Sequence, residues 1–145
     1  MSDKKRVLIL CTGNSARSQM AEGLLRQDAG DRFEVESAGT RPSAVRLEAI
    51  AAMREVGIDI SGHRSKSVEE FAGQSFDAVL TVCDSARETC PVFFGSAKRL
   101  HHSFEDPAAF DGSEVERLAA FRRVRDQLRA YLGEFAQRES AGSRS

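Results

Sequence analysis

The chain has 145 residues, of which 41% are hydrophobic and 30% are charged, and its formal net charge at pH 7 is −1. This balance is typical of one globular domain and excludes both a disordered chain and a membrane-spanning one. Because there is no excess of basic residues, the sequence does not indicate nucleic-acid binding. The apolar run nearest the N-terminus, 7–10, is too short for a signal peptide. We therefore expect a cytoplasmic protein that binds neither nucleic acid nor membrane.

The first half of the chain alternates predicted strands and helices. The continuous apolar run 7–10 is typical of a buried parallel strand, and apolar residues at helical spacing predict a helix over 18–29. The alternating pattern over 33–36 predicts an edge strand. A second helix is predicted over 44–56, with Gly57 as its C-terminal cap.

The second half continues this alternation. Residues 67–71 fit a short helical turn, whereas 78–82 and 98–101 are predicted to be strands. Apolar residues in helical register predict a long amphipathic helix over 114–135. Residues 137–145 lack apolar side chains, so we expect a single domain over 1–136 followed by a disordered tail.

Strands that alternate with helices predict an α/β fold of three layers, in which helices flank a four-stranded parallel sheet. Ligands of such sheets bind beyond the carboxyl ends of the strands. Cys11 and Cys83 each follow a predicted strand. The two thiols can therefore lie close in space although they are far apart in the sequence.

The strongest motif is CTGNSARS over 11–18, which places a cysteine and an arginine in C-x5-R spacing between a strand and a helix. The backbone N–H groups of such a loop form a concave anion site, and the following helix directs the positive end of its dipole towards it. Arg17 adds a planar fork of donors that matches two oxygens of a tetrahedral oxyanion. We expect this field to lower the pKa of Cys11 and make it a nucleophile. The predicted substrate-binding residues are Thr12, Gly13, Asn14, Ser15, Ala16, Arg17 and Ser18.

The alternative interpretation of this motif is structural. Cys11 would then be a small apolar residue at the end of a strand, and Arg17 a solvated helix residue. The glycine and asparagine inside the motif, and its place between a strand and a helix, favour the functional interpretation.

Cys83 and Cys90 form a second candidate group. A helix between them would separate their Cα atoms by ~10 Å, whereas a disulfide needs less than ~7 Å, so a bond between them requires that helix to unwind. Two alternatives are that both are buried structural thiols, or that they bind zinc together with His101 or His102. The C-x6-C spacing is unusual for zinc, and we predict no metal site.

Asp106 precedes a proline, which disfavours helical backbone for the aspartate and keeps it in a loop. A carboxyl group above an oxyanion pocket can donate a proton to a leaving oxygen. The alternative is an ordinary turn aspartate before a proline.

Together these motifs resemble one known family. The segments CTGNSARSQMAEG, SAGT, IDISGHRS, VCDSARETCP and FEDPA, between residues 11 and 108, are similar to those of the thioredoxin-coupled arsenate reductases. That family shares its fold with the low-molecular-weight protein tyrosine phosphatases. The resemblance implies a monomer without a cofactor whose substrate is arsenate, with phosphate and sulfate as competing oxyanions.

The resemblance also implies a catalytic role for each thiol. Cys11 attacks arsenic while Asp106 protonates the departing oxygen. Cys83 then attacks the sulfur of Cys11, and arsenite leaves with two electrons. Cys90 attacks Cys83, and thioredoxin reduces the resulting disulfide, each step being thiolate attack on an activated sulfur.

Two departures argue against a phosphotyrosine substrate. The phosphatases carry a second cysteine at the position of Ala16, and they follow the Asp-Pro pair with tyrosines, where this chain has Ala108 and Ala109. A phosphatase, a redox sensor without turnover, and a reductase recycled by glutaredoxin or a small thiol remain the competing interpretations.

One further departure concerns a cation site. Some members of the reductase family bind a monovalent cation through matches of Asn14, Glu22 and Ser37 together with a carboxylate, and this chain has Lys66 at the position of that carboxylate. We expect the lysine amine to replace the cation, so that activity does not depend on potassium.

Overall fold

Four strands form one parallel sheet in the order β2-β1-β3-β4, in a computed structural model that describes residues 4–83 and 97–142, the last three without their side chains. The strands are β1, Lys5–Cys11; β2, Phe33–Gly39; β3, Ala78–Thr81; and β4, Lys98–His101. The central strands β1 and β3 are buried almost throughout, as their apolar sequences predict. All four carboxyl ends therefore meet along one edge of the sheet.

Three α-helices accompany the sheet in the described parts of the chain: α1, Arg17–Ala29; α2, Leu47–Arg54; and α3, Glu114–Gly142. Short 3-10 helices cover Val68–Phe71 and Pro107–Ala109. Helices α1 and α3 pack against each other. The buried face of α3 repeats every three or four residues and consists of Phe121, Val124, Leu128, Leu132 and Phe135.

The predicted fold class is confirmed, but some boundaries differ. Strand β2 continues through Gly39, three residues beyond its predicted end, because its last residues pair with the buried end of β1. Gly57 has a φ of 79°, so it ends the turn after α2 as predicted, although α2 stops at Arg54. None of the described helices is long and apolar enough to cross a bilayer.

The predicted disordered tail from residue 137 is wrong over its first six residues, because α3 continues to Gly142. Glu139 anchors this last turn. Its backbone oxygen accepts a hydrogen bond from Lys5 Nζ at 3.1 Å, and its carboxylate lies 2.8 Å from Lys98 Nζ. Both lysines lie at the amino ends of strands, so the helix end is held by the opposite edge of the sheet from Cys11.

Arg125 joins α3 to α2. Its guanidinium donates to Ala52 O at 2.8 Å and to Glu55 Oε1 at 3.0 Å, and only 8% of the residue is exposed. Arg122 adds a bidentate pair with the same Glu55 carboxylate, which lowers the pKa of that carboxyl group. Since α2 begins next to the loop at residue 15, this link also supports the site described below.

We expect Arg125→Met to lower the free energy of unfolding by about 2 kcal/mol, because it removes charged hydrogen bonds from a buried position. Urea unfolding followed by circular dichroism measures the change. Arg129→Met is the matched control on the same helix, since Arg129 pairs with Asp28 at the surface and should lose less than about 1 kcal/mol. Equal losses in the two variants would contradict the role given to Arg125.

Candidate active site

The loop that connects β1 to α1 has its carbonyl groups turned outward. Four of them accept hydrogen bonds of 2.8–3.2 Å from backbone N–H groups of the segment that follows β2. In a trans peptide the N–H points opposite to the C=O, and no cis peptide occurs in the described residues. The N–H groups of the loop therefore face its inner side, as an anion-binding concavity requires. The bonds run from Thr40 to Cys11, from Arg41 to Thr12, from Ser43 to Gly13 and from Arg46 to Ser15.

Asn14 is the turning point of the loop, with a φ of 48° in the left-handed region. Asparagine tolerates this conformation better than most residues, and here its side chain is fully bonded. Its Oδ1 accepts from Lys66 N and from Gln19 Nε2, and its Nδ2 donates to Ser18 Oγ and Ser37 Oγ. Asn14 therefore ties the loop to the first turn of α1 through Ser18 and to the end of β2 through Ser37.

Arg17 begins α1 and is held at one edge of its guanidinium. Nη1 donates to Phe104 O at 3.0 Å, and Nη2 lies 3.7 Å from Asp106 Oδ2. Its Nε is buried and has no hydrogen-bond partner within the described residues. A buried donor without a partner is costly, so this N–H is available to an incoming oxygen.

Asp106 lies in the loop after β4 with extended backbone, as its position before Pro107 predicts. One carboxylate oxygen, Oδ1, accepts from Ala108 N at 3.0 Å and caps the short helix Pro107–Ala109. The other oxygen faces Arg17. One oxygen of Asp106 therefore caps the turn, as in an ordinary Asp-Pro turn, and the other faces the predicted site.

Cys11 and Cys83 lie together at the carboxyl ends of β1 and β3, both reduced and buried. The two thiols share a hydrogen bond, and Thr12 Oγ1 lies 3.3 Å from Cys83 Sγ. This contact and burial raise the pKa of Cys11, outweighing Arg17 and the Thr12 backbone N–H, which lower it. The predicted lowering of the Cys11 pKa is therefore wrong for this reduced arrangement, because the neighbouring thiol stabilises the protonated form.

Further candidate residues are the third predicted cysteine, Cys90, and the two candidate zinc ligands, His101 and His102. Cys90, and the segment between it and Cys83, lie outside the described residues. His101, a candidate zinc ligand, has its Nδ1 2.8 Å from Thr81 Oγ1, while His102 stacks on Phe104 and Tyr131. No group of three or more His, Cys, Asp or Glu side chains suited to a metal ion occurs in residues 4–83 and 97–142.

A buried carboxylate, Glu22, lies behind the loop. Ser37 Oγ donates to its Oε1, and Arg26 lies 2.9 Å from its Oε2. Lys66 Nζ lies 3.5 Å from Glu22 Oε1 and 3.1 Å from Glu36 Oε1, with only 13% of its side chain exposed. The lysine ammonium therefore lies against Glu22, as predicted, between that carboxylate and the carboxylate of Glu36.

Sequence reasoning missed the residues that hold the loop from outside. Ser65 donates to Gly13 O and Asn14 O, and Gln19 binds Asn14 from the other side. Gly39 is required because a Cβ there would lie 2.5 Å from Thr12 O. In the sequence, Gly39 and Ser65 are marked only by their presence in the SAGT and IDISGHRS segments. Residues that bind partners so far away in the sequence leave no periodic pattern.

Comparison with known proteins agrees with this fold. The family model for low molecular weight phosphotyrosine protein phosphatase matches residues 6–142. The arsenate reductase of Bacillus subtilis (strain 168) is 44% identical over 135 residues, which cover 93% of this chain and 97% of that protein. A solved arsenate reductase in its phosphate-binding state has a TM-score of 0.80 at 33% identity, covering 92% of this chain and 98% of that one. The YwlE arginine phosphatase from Geobacillus stearothermophilus has a TM-score of 0.76 at 25% identity, covering 95% and 94%.

The chain therefore belongs to the low molecular weight phosphotyrosine protein phosphatase family. Within that family, its similarity to the curated proteins places it among the arsenate reductases.

We expect Cys83→Ala to lower the pKa of Cys11, because the substitution removes the thiol contact that raises it. A lower pKa gives more thiolate at a given pH, so alkylation of Cys11 should become fast at a lower pH in the variant than in the unmodified protein. Iodoacetamide labelling across a pH series, quantified on tryptic peptide 7–17, measures this. Cys90→Ala is the control that keeps the contact. An unchanged profile in Cys83→Ala would show that the two thiols do not interact in solution.

We expect arsenate reduction to be independent of potassium, because the Lys66 ammonium already neutralises Glu22. Lys66→Asp should gain potassium stimulation of several-fold, since it removes this charge and supplies a further oxygen ligand. Initial rates with potassium or sodium chloride at constant ionic strength test both proteins. A several-fold response of the unmodified protein would refute the assignment.

Proposed function

We propose that this protein reduces arsenate to arsenite through a relay of Cys11, Cys83 and Cys90 that thioredoxin recycles, and that it serves arsenic detoxification. The observation that carries the proposal is the position of Cys11 and Cys83 after the paired strands β1 and β3, with Thr12 Oγ1 3.3 Å from Cys83 Sγ, beside a loop with inward-facing N–H groups. Ester hydrolysis needs one nucleophile, whereas a two-electron reduction needs a second thiol within reach of the first. The curated relatives named arsenate reductase support the same reaction.

In the first step, Cys11 gives its proton to an oxygen of the arsenate dianion, the resulting thiolate attacks arsenic, and one oxygen leaves. Arg17 binds the remaining oxygens through its unpartnered Nε and its terminal nitrogens, and the loop N–H groups stabilise the charge that develops on them. The carboxylic acid form of Asp106 donates the proton that turns the departing oxygen into water, and its Oδ2 lies on the side of Arg17. The product of this step is a sulfur–arsenic bond with arsenic still in its oxidised state.

In the second step, Cys83 attacks the sulfur of Cys11. The sulfur–arsenic bond breaks, its electron pair remains on arsenic as arsenite, and a Cys11–Cys83 disulfide forms. Thr12 Oγ1, 3.3 Å from Cys83 Sγ, is placed to donate a hydrogen bond to the attacking thiolate.

In the third step, Cys90 attacks Cys83 and releases Cys11. A dithiol protein such as thioredoxin then reduces the Cys83–Cys90 disulfide and restores the enzyme. A cytoplasmic location is part of the same proposal, because free thiols such as Cys11 and Cys83 persist in reducing compartments.

The decisive experiment follows NADPH oxidation by the reduced protein in the presence of thioredoxin, thioredoxin reductase and arsenate, with arsenite assayed as the product. We expect one arsenite for each NADPH over many turnovers. A single turnover followed by arrest would instead favour a redox sensor. Turnover with glutaredoxin and glutathione but not with thioredoxin would change the assigned reductant.

We expect Cys83→Ser and Cys90→Ser to abolish multiple turnover of arsenate while sparing hydrolysis of p-nitrophenyl phosphate. The reason is that the two thiols serve only the disulfide steps, whereas Cys11 alone performs nucleophilic displacement. Asp106→Asn is the matched contrast and should slow both reactions by about 100-fold, since both need a proton for the leaving oxygen. Survival of arsenate turnover in either serine variant would refute the relay.

A phosphatase is the second candidate function, favoured by the family model and by the likeness to the arginine phosphatase. The loop serves phosphate as well as arsenate, because the two oxyanions share shape and charge. We assign phosphatase activity as a side reaction, since only the reductase uses the contact between Cys11 and Cys83. Hydrolysis of p-nitrophenyl phosphate without any arsenite formation would make phosphatase activity the main function.

A further inference from the structure

Gln19 occupies a position on the first turn of α1 where its amide is completely buried. The side-chain nitrogen faces three oxygens: Asn14 Oδ1 at 2.9 Å, Asn14 O at 3.1 Å and Arg64 O at 2.9 Å. Only the NH2 end of the amide can face three acceptors, among which it shares its two protons, so the orientation of the amide is unambiguous. The side-chain oxygen of Gln19 then has to accept from His63 Nδ1, which lies 2.9 Å away.

This arrangement also determines which ring nitrogen of His63 carries a proton. Since Gln19 Oε1 is an acceptor, His63 Nδ1 must carry a proton in either charge state of the ring. His63 therefore stops the Gln19 amide from turning over. The chain of contacts runs from His63 through Gln19 to the left-handed residue of the loop, and it is separate from the interactions of Arg17.

The carbonyl of Asn14 is the one in the loop that no backbone N–H of the 40–46 segment binds. Two side chains hold it instead, Gln19 through Nε2 and Ser65 through Oγ at 2.9 Å. Because a trans peptide is planar, fixing this carbonyl outward fixes the N–H of Ser15 inward. A residue with a φ of 48° is the one most able to relax to another conformation if these bonds are lost.

We propose that Gln19 is a positioning residue for oxyanion binding, which orients the Ser15 N–H towards the anion by holding the Asn14 carbonyl and is itself locked by His63. The inference rests on the proposed assignment of residues 11–18 as the oxyanion loop. It gives this buried polar residue a role in the affinity for the substrate rather than in packing alone.

The test uses inorganic phosphate as a non-reacting oxyanion and records amide resonances of the full reduced chain labelled with nitrogen-15. In Gln19→Met, which keeps the volume but loses the donor, we expect the dissociation constant for phosphate to rise about tenfold. The Ser15 amide proton should lose its downfield shift on phosphate addition, while the Gly13 amide keeps its response. Met20→Leu is the matched control, since Met20 is equally buried on the same helix and contacts the loop through its backbone N–H, not through a side-chain hydrogen bond.

A second variant separates orientation from packing. Gln19→Glu keeps the shape and the acceptor for His63 but presents a carboxylate oxygen to the Asn14 carbonyl. A buried carboxyl group has a raised pKa, so its protonated form regains a donor at lower pH. We expect sulfate binding relative to the unmodified protein to be weak at neutral pH and to recover on acidification. The neighbouring charged groups are present in both proteins: His63, Glu22, Arg26, Lys66 and Asp59. Because the introduced carboxylate contacts His63, the imidazole resonances of His63 are recorded at each pH to separate its titration from that of the new carboxyl group.

The outcomes distinguish a failure of the role given to Gln19 from a failure of the proposed oxyanion loop. If the unmodified protein binds phosphate and Gln19→Met binds it within about twofold with the same Ser15 shift, the positioning role of Gln19 is refuted. A constant sulfate ratio across pH in Gln19→Glu refutes it as well. If the unmodified protein binds neither anion, the assignment of the oxyanion loop itself fails.

Discussion

Outward anchoring of the carbonyl groups between Cys11 and Arg17 is the constraint on which the site depends. Each loop carbonyl from residue 11 to residue 15 has a donor from elsewhere in the fold. The donors come from the segment after β2, from Ser65 and from α1, and they leave the opposite faces of the peptides for a ligand. Affinity for an oxyanion therefore depends also on residues outside the loop, and Gly39 is needed mainly to let those donors approach.

The charged residues behind the loop also support it from outside. Glu22 is almost completely buried, which would be unfavourable for a carboxylate without partners, but Ser37, Arg26 and Lys66 surround it. Through Ser37, this cluster reaches Asn14, the residue with the least favourable backbone conformation. The cost of a left-handed asparagine is thus offset by a polar network rather than by apolar packing.

Much of this arrangement could be predicted from local patterns. The strands, the helices and the C-x5-R loop each occupy a short window whose periodicity or composition is diagnostic, so Cys11 and Arg17 were found without a structure. Gln19, Ser65 and Gly39 could not be found in this way, because their importance arises from contacts with residues distant in sequence. The pKa of Cys11 was predicted in the wrong direction for a related reason: the loop field was visible in the motif, whereas the position of the Cys83 thiol depends on sheet order. The end of α3 was misplaced because Glu139 is held by lysines on other elements.

The anchoring of the loop by distant segments links the formation of the site to the folding of the chain. A peptide with residues 11–18 alone carries the signature but lacks every outward donor after residue 39, so it cannot present its N–H groups in the same way. The site appears only when β1 has paired with β2 and the segment around Ser65 has returned to the loop. In the proposed function, an oxyanion is then a ligand of the folded state alone, and by mass action its binding stabilises the whole domain.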